Sequence, residues 1–178
     1  MKRVLIIVDY QNDFVTGSLG FSKAAMLDKL ICEKAENYRK NGDDILFTLD
    51  THEKNYLETE EGKYLPVPHC IKDSTGWMLF GKTAEYCTEM TPCFEKATFP
   101  SFALAEYLSS KKYDLVELVG LVSNICVLSN AVMAKSALPN AHILVDASCT
   151  AGADPDLHEK ALDVMQGLQI EVINRKCS

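Results

Sequence analysis

Cys126 lies in a pattern that suits a nucleophile. Residues 113–120 have the apolar pattern of a buried strand that stops at Gly120, and a few small and polar residues then lead into a helix that carries Cys126 in its first turns. The positive end of a helix dipole favours the thiolate, which is the form of cysteine that attacks carbonyl groups. Because a single cysteine is more often a small buried apolar residue, this interpretation depends on partners elsewhere in the chain.

Two charged residues at predicted strand ends provide such partners. Asp9 ends the first strand, and Lys96 ends a short strand near Phe94. The carboxyl ends of parallel strands meet at one rim, where a carboxylate in apolar surroundings has a raised pKa and can accept the thiol proton. A nearby lysine stabilises the thiolate and the developing negative charge. Alternatively, Asp9 caps the following loop and Lys96 is a solvated charge; for Asp146, which ends another strand, we expect only a role in closing a turn.

A second polar group combines a carboxylate with two imidazoles. Asp50 and His52 are separated by one residue, so an extended segment places both side chains on the same side, and His69 ends a proline-rich segment. Such a set can bind zinc, manganese or iron, with water or substrate in the remaining positions. Glu61 is a candidate fourth ligand, although acidic runs such as 58–61 more often form a solvated surface. We expect a divalent metal here, with zinc ahead of iron or manganese; the alternative is three polar residues without a metal.

The elements that must position these residues alternate between strand and helix. The predicted strands lie at about 3–9, 45–50, 94–96, 113–120, 142–146 and 170–173, and the predicted helices at about 23–41, 102–111, 125–138 and 154–167. This alternation predicts an α/β fold of three layers, a doubly wound and mainly parallel sheet with helices on both faces. Ser101 and Asp154 are the expected helix caps. Residues 51–90 lack periodicity and form a long excursion, and such loops in compact domains are usually functional.

The bulk composition limits the classes of function. The chain has 178 residues, of which 47% are hydrophobic and 24% charged, and these values fit one globular domain over residues 1–178. The formal net charge of −7 argues against nucleic acid and anionic membranes as partners, which leaves small molecules. Seven cysteines without disulfide or paired zinc-ligand spacing indicate a reducing cytoplasm. The apolar run at the N-terminus is too short for a signal peptide or a membrane span.

Three spaced motifs carry the predicted active residues. They are the opening Asp9-Tyr10-Gln11-Asn12-Asp13-Phe14, then Phe94-Glu95-Lys96, and the nucleophile turn Gly120-Leu121-Val122-Ser123-Asn124-Ile125-Cys126-Val127. Together they resemble the cysteine hydrolases of the isochorismatase-like superfamily and, within it, the nicotinamidases, which share the opening Asp-x-Gln-x-Asp-Phe, the lysine and the nucleophile turn. The likeness covers nearly the whole chain and implies the isochorismatase-like hydrolase fold and a homo-oligomer, dimeric or larger.

The resemblance assigns roles to individual residues. Asp9, Lys96 and Cys126 would form the catalytic triad. The family's cis peptide would fall between Leu121 and Val122, and the backbone N–H groups of Val122 and Cys126 would form the oxyanion hole. The predicted metal ligands match those of the nicotinamidases, which hold the pyridine nitrogen of the substrate; they are Asp50, His52 and His69.

The substrate side of the predicted site departs from the nicotinamidase pattern. Those enzymes often have a tryptophan between the metal aspartate and histidine, where this chain has Thr51, and an aromatic residue just before the proline-rich histidine segment, where it has Leu65. Tyr64 precedes Leu65, and the only tryptophan, Trp77, lies downstream. By the resemblance Phe14 would pack on the substrate ring, and we expect Tyr64 and Leu65 to contact the substrate with it.

The sequence therefore predicts a metal-dependent cysteine amidohydrolase that converts nicotinamide, or a close carboxamide, to the acid and ammonia through a thioacyl-enzyme. The isochorismatases of the superfamily generally lack both the cysteine and this metal set, which favours amide hydrolysis. Two alternatives stay open: an amidase of the same superfamily acting on an N-carbamoyl or ureido compound or another small carboxamide, and a non-catalytic binding module that has kept the fold.

Overall fold

A six-stranded sheet forms the centre of the fold. The computed structural model describes residues 1–175, and every pair of neighbouring strands in the sheet is parallel. Across the sheet the strand order is β3-β2-β1-β4-β5-β6. The strands are β1 (Arg3–Val8), β2 (Asp44–Asp50), β3 (Cys93–Lys96), β4 (Leu115–Leu121), β5 (His142–Ala151) and β6 (Glu171–Ile173). The prediction of a mainly parallel α/β sheet is confirmed.

The strand order changes direction between β1 and β4. From β1 the chain moves outward to β2 and β3, and it then crosses back to β4 on the other side of β1. In open α/β sheets the ligand crevice lies outside the carboxyl ends of the strands at such a point. Asp9 follows β1 directly, and the turn after β4 carries Cys126. The topology therefore brings these two residues to the same crevice.

Helices cover both faces of the sheet. On one face α2 packs through Ile31 and Ala35, whereas on the other face Leu104, Ala131 and Leu162 bring α4, α5 and α6 into a second core. The central residues of β1 have no exposed surface because both cores cover them. The predicted three-layer, doubly wound arrangement is confirmed. The α-helices are α1 (Asn12–Val15), α2 (Leu27–Lys40), α3 (Glu60–Tyr64), α4 (Phe102–Ser109), α5 (Leu128–Ala137) and α6 (Pro155–Gly167).

Two of these helices begin at the caps that the sequence predicts. The backbone N–H of Leu104 donates to Ser101 Oγ at 3.1 Å, at the start of α4. The backbone N–H of Asp156 donates to Asp154 Oδ1 at 2.8 Å, with Pro155 as the first residue of α6. Each cap satisfies a donor that the helix itself leaves without a partner.

The structure departs from the predicted elements at β5 and in the excursion 51–90. β5 does not end at Asp146 but continues to Ala151, with an irregular register against β4. Asp146 therefore lies inside a strand and does not close a turn, although it accepts a hydrogen bond from the backbone N–H of Ser148 at 2.9 Å. The excursion 51–90 also has regular pieces, which are α3 and the 3₁₀ turns Tyr56–Glu58 and Lys82–Tyr86. The turn Lys82–Tyr86 packs on α2, and α3 packs on the turn Tyr56–Glu58, which apolar periodicity does not reveal.

The remaining structural expectations concern cysteines and membranes. All six cysteines in residues 1–175 are free, and Cys177 lies outside the described residues. Within that same part of the chain, no helix combines the length and the apolar character needed to cross a bilayer.

Candidate active site

The turn after β4 carries Cys126. The peptide bond between Leu121 and Val122 is cis, as predicted. Ser123–Val127 form a single π-helical turn, and α5 begins only at Leu128. Cys126 therefore lies just ahead of the α-helix, whereas the sequence predicts a position inside its first turns.

Gly120 allows β4 to approach β1 closely. Its φ angle of +106° lies in a region that favours glycine, and a Cβ at this position would lie 2.1 Å from the backbone oxygen of Val8. A larger residue would push the two strands apart. The glycine therefore keeps the start of the Cys126 turn against the end of β1, next to Asp9.

Asp9, Lys96 and Cys126 meet in the crevice. Lys96 Nζ lies 2.6 Å from Asp9 Oδ2 and 3.6 Å from Cys126 Sγ. All three residues are buried, with 0%, 6% and 5% of their surface exposed. Thr48 Oγ1 donates a hydrogen bond to Asp9 Oδ1 at 2.6 Å, and Lys96 Nζ donates to Thr98 O at 3.0 Å. The lysine therefore links the carboxylate to the sulfur.

Burial dominates the protonation of this group. Burial raises the pKa of Asp9, although the charge of Lys96 acts in the opposite direction. Burial and the Asp9 carboxylate also raise the pKa of Cys126 well above its usual value. Burial lowers the pKa of Lys96, but the charges of Asp9, Cys126 and Asp50 together outweigh it, so the net shift is upward. The raised pKa of Asp9 confirms the expectation for a carboxylate in an apolar rim. Because its pKa is raised, Cys126 needs a base to become the nucleophilic thiolate, and the expected effect of the helix dipole stays a prediction.

The carboxylate and the two imidazoles of the predicted metal group also converge. Asp50 Oδ2 lies 3.1 Å from His52 Nε2 and 3.3 Å from His69 Nε2. The three ligand atoms lie within 4.8 Å of one another, and all three residues are buried. His69 Nδ1 lies 2.8 Å from the backbone oxygen of Val67, which leaves Nε2 for a metal. One carboxylate oxygen and two imidazole nitrogens at this spacing fit a divalent metal ion.

Asp50 connects this metal group with the Lys96 group. Asp50 Oδ1 lies 3.2 Å from Lys96 Nζ, whereas Oδ2 faces the two histidines. Glu61 lies at the same place: its Oε1 is 3.8 Å from His52 Nε2 and 3.7 Å from His69 Nε2, and its side chain is 17% exposed. Glu61 is therefore not part of a solvated acidic surface, and its role as a fourth ligand stays a prediction.

The three predicted substrate contacts differ in burial. The ring centroid of Phe14 lies 5.6 Å from that of His69, and Phe14 is 7% exposed. Leu65 is 38% exposed and Tyr64 is 89% exposed, so neither is enclosed by the fold. Phe14 is therefore close to the metal group, while substrate contact by Tyr64 and Leu65 stays a prediction.

Tyr56 belongs to this region and is absent from the sequence prediction. Its ring centroid lies 4.7 Å from that of His52 and 4.9 Å from that of His69, and its hydroxyl donates to Leu65 O at 2.9 Å. It is 1% exposed. No periodic pattern in the excursion 51–90 singles it out, and only its aromatic side chain near the predicted ligands could have indicated it.

Gln11 and Trp77 hold the backbone segment that carries Asp50 and His52. Gln11 Nε2 donates to the backbone oxygens of Asp50 and Trp77, and Gln11 Oε1 accepts from the backbone N–H of Asp50. Trp77 Nε1 donates to Thr51 Oγ1 at 2.8 Å. Trp77 therefore lies beside Thr51, the position between Asp50 and His52 at which the chain lacks a tryptophan.

Comparisons with known proteins give matches to one family and to one fold. A family model described as the isochorismatase domain matches residues 3–177. An uncharacterized isochorismatase family protein, PncA of Bacillus subtilis, is 30% identical over 173 residues, which cover 91% of this chain and 93% of that protein. The structure of a pyrazinamidase/nicotinamidase from Streptococcus mutans has a TM-score of 0.85 and 30% identity, and covers 97% of this chain and 100% of its own. The pyrazinamidase of Pyrococcus horikoshii in complex with zinc has a TM-score of 0.85 at 22% identity, with 98% and 100% covered.

Proposed function

We propose that this chain, which belongs to the isochorismatase family, is a metal-dependent cysteine amidohydrolase that converts nicotinamide and water to nicotinic acid and ammonia. Its similarity to solved nicotinamidases and pyrazinamidases supports an amide-hydrolysing activity. A cytoplasmic location and a homo-oligomeric state are part of the proposal. The six free cysteines of residues 1–175 fit a reducing compartment, and light scattering on the purified protein tests the oligomeric state.

The position of Asp50 carries the proposal. One of its oxygens pairs with Lys96, which contacts the Cys126 sulfur, and the other faces the two histidines. A substrate for this site therefore needs a metal-binding atom and an electrophilic carbonyl that are separated by a few bonds. A pyridine carboxamide has both, because its ring nitrogen binds divalent metals and its carboxamide accepts a nucleophile.

The metal would be held by Asp50, His52 and His69, with Glu61 as a candidate fourth ligand and zinc as the expected ion. When bound, it supplies a coordination position for the ring nitrogen of the substrate. The ring itself would pack against Phe14, whose side chain lies beside His69. These contacts orient the carboxamide toward Cys126.

The chemical steps use Asp9, Lys96 and Cys126. Asp9 accepts the thiol proton as the Cys126 sulfur attacks the carbonyl carbon, and the protonated Lys96 stabilises the thiolate. The backbone N–H groups of Val122 and Cys126 would donate to the oxyanion. Asp9 then protonates the leaving ammonia, and the resulting thioester remains on Cys126.

The same carboxylate completes the reaction. Asp9 takes a proton from water as the water oxygen attacks the thioester, and it returns this proton to the departing Cys126 sulfur. A positioned base contributes about 10²–10⁴-fold to the rate, and one oxyanion donor contributes about 10²–10³-fold.

An ammonia-release assay with nicotinamide, pyrazinamide and N-carbamoyl substrates, combined with metal analysis of the purified protein, tests this function. We expect nicotinamide turnover, a bound divalent metal, and loss of activity on chelation. Cys126→Ala should fold and bind metal but have no turnover. The matched control is Cys149→Ala, which removes another buried thiol that faces α2 and should keep activity.

The outcomes separate the alternatives. A preference for N-carbamoyl compounds without bound metal would favour the related amidase. Absence of ammonia release from every amide would favour a binding module that has kept the fold. Full activity of Cys126→Ala would exclude the thioacyl mechanism.

A further inference from the structure

Asn130 is a buried amide in the helix that follows the nucleophile turn. It lies in α5, four residues after Cys126, and none of its surface is exposed. The next residues on this side of the helix, Ala131 and Ala134, belong to the apolar core. Asparagine has a lower helix propensity than alanine, and a buried amide is costly unless its polar atoms find partners. The contacts of Asn130 therefore need an explanation.

All the polar atoms of this side chain have partners. Its Nδ2 donates to the backbone oxygen of Cys126 at 2.8 Å and to that of Phe99 at 3.1 Å. Its Oδ1 accepts from the backbone N–H of Ser101 at 2.9 Å. One hydrogen bond thus reaches the nucleophile turn, and two reach residues 97–101, which we call the 97–101 segment.

The 97–101 segment is attached to the catalytic lysine. It follows Lys96 directly, and Lys96 Nζ donates to Thr98 O at 3.0 Å. The same Nζ lies 3.6 Å from Cys126 Sγ. Asn130 therefore closes a ring of contacts that runs from Cys126 through Asn130 and the 97–101 segment to Lys96 and back to Cys126.

We propose that Asn130 is a positioning residue that sets the separation between Lys96 and Cys126 by tying the 97–101 segment to the nucleophile turn. The inference rests on the proposed function, in which these two residues act together on the amide. Asn130 acts through the backbones of the two segments, because its amide hydrogen-bonds to backbone groups of Cys126, Phe99 and Ser101.

The chemistry of the side chain explains why an amide is needed. Two carbonyl oxygens and one N–H must be satisfied together, and an amide offers two donor protons and one acceptor oxygen. Aspartate has no donor for the carbonyl oxygens of Cys126 and Phe99. A serine in a helix can donate to the carbonyl four residues earlier, so Asn130→Ser would keep the contact with Cys126 but lose the 97–101 segment.

The test compares Asn130→Ser and Asn130→Ala with Ser101→Ala. The serine variant removes the two contacts with the 97–101 segment, and the alanine variant removes all three. Ser101→Ala weakens the cap of α4 by removing the acceptor of the Leu104 N–H, but it keeps the backbone N–H that binds Asn130. It is therefore a control for loss of stability near the same segment, and thermal unfolding measures that loss in each variant.

We expect kcat to fall about 10- to 100-fold in both Asn130 variants, with KM within about twofold, because small misplacements of reacting groups are costly. Ser101→Ala should keep kcat within about twofold. Alkylation of Cys126 by iodoacetamide, located by mass spectrometry, should slow about three- to tenfold in both Asn130 variants, since the lysine no longer stabilises the thiolate as well.

Three results would overturn the inference. These are wild-type kcat in Asn130→Ser, an equal loss of kcat in Ser101→Ala, and unchanged or faster alkylation of Cys126 in the Asn130 variants. If the wild-type protein released no ammonia from any amide, the proposed function would fail on its own. The alkylation rates would then still decide the role of Asn130, because they require no substrate.

Discussion

Two lysines in this protein, Lys96 and Lys34, each lie between two buried carboxylates, but their surroundings differ. Lys96 Nζ is 2.6 Å from Asp9 Oδ2 and 3.2 Å from Asp50 Oδ1. On the α2 face, Lys34 Nζ is 2.5 Å from Glu117 Oε1 and 2.8 Å from Asp146 Oδ2. The arrangement of charges is nearly the same in the two places. The proposed chemistry occurs at only one of them.

The neighbours of the carboxylates make the difference. Around Lys34, neutral donors complete the network: the Tyr38 hydroxyl donates to Glu117 Oε2 at 2.6 Å, and Asn174 Nδ2 donates to Asp146 Oδ2 at 2.9 Å. Around Lys96, the neighbours are a thiol and the metal group. Within residues 1–175, no thiol or imidazole hydrogen-bonds to the charged groups of the first network, whereas the second has a thiol and a ligand set that a substrate can use.

The two aspartates consequently titrate in opposite directions. Burial would raise the pKa of Asp146, but hydrogen bonds from Lys34 and Ser148 outweigh it and hold the pKa below its usual value. Burial raises the pKa of Asp9, and the charge of Asp50 adds to this shift while Lys96 opposes it. The comparison shows that a lysine partner alone does not decide whether a buried carboxylate is a stable anion or a proton acceptor.

The largest expected effect that separates the two networks is on catalysis. Asp9→Asn should lower kcat about 10²–10⁴-fold, because an amide cannot take the proton of Cys126. Asp146→Asn is the matched control on the other network and should keep kcat. Steady-state ammonia release measures both variants, and near-native turnover by Asp9→Asn would show that another group is the base.

The next effect is on stability and should affect only the Lys34 network. Lys34→Met leaves Glu117 and Asp146 buried without their cation, which should cost about 3–5 kcal/mol of unfolding free energy and leave kcat unchanged. Urea denaturation measures the loss. Lys29→Met is the control on the same helix, since the ammonium of Lys29 is in a largely exposed pair with Glu33, and it should have little effect. Equal stability of the two variants would show that the Lys34 network is not stabilising.

The smallest effect is the pH dependence of stability, at about 1.4 kcal/mol for each unit of pKa shift. The lowered pKa of Asp146 stabilises the fold above the unfolded value near 3.8, and this contribution is lost as pH falls through the folded pKa. The raised pKa of Asp9 has the opposite effect on stability. As pH rises from the unfolded value near 3.8 through the folded pKa, stability falls, because ionising the buried carboxyl is costly.

Urea titrations between pH 3 and 7 on the two asparagine variants measure these slopes. The stability deficit of Asp146→Asn should shrink toward low pH. Asp9→Asn should gain stability relative to the wild type as pH rises. Slopes of the same sign for both variants would contradict the opposite pKa shifts.

The chemical residues were largely predictable because they lie at strand ends and in spaced motifs. Asp9 and Lys96 follow apolar strand patterns, and parallel strands bring such ends to one rim. The cis peptide before Val122 and the convergence of Asp50, His52 and His69 match the expectations from the family resemblance. The catalytic and metal-binding roles themselves stay predictions.

Other features had no local signal. Tyr56 lies in a stretch without periodicity, and its place beside His52 depends on how the excursion 51–90 folds back. The hydrogen bond between Trp77 and Thr51 was also not predictable, because the sequence shows only that Thr51 stands where nicotinamidases often have a tryptophan. The full length of β5 was missed because its pairing with β4 continues past the irregular register, which apolar periodicity does not record.

The sequence by itself determined the order of the six strands and of the four longer helices, the caps at Ser101 and Asp154, and the residues able to act as nucleophile, base, cation and ligands. It did so because backbone conformation and side-chain chemistry are local properties. Only the tertiary structure showed that Lys34 pairs with Glu117 and Asp146 much as Lys96 pairs with Asp9 and Asp50, because such charge pairs join residues far apart in the chain. For the same reason only the fold revealed that burial and Asp9 raise the pKa of Cys126 and that Asn130 joins its turn to the segment after Lys96.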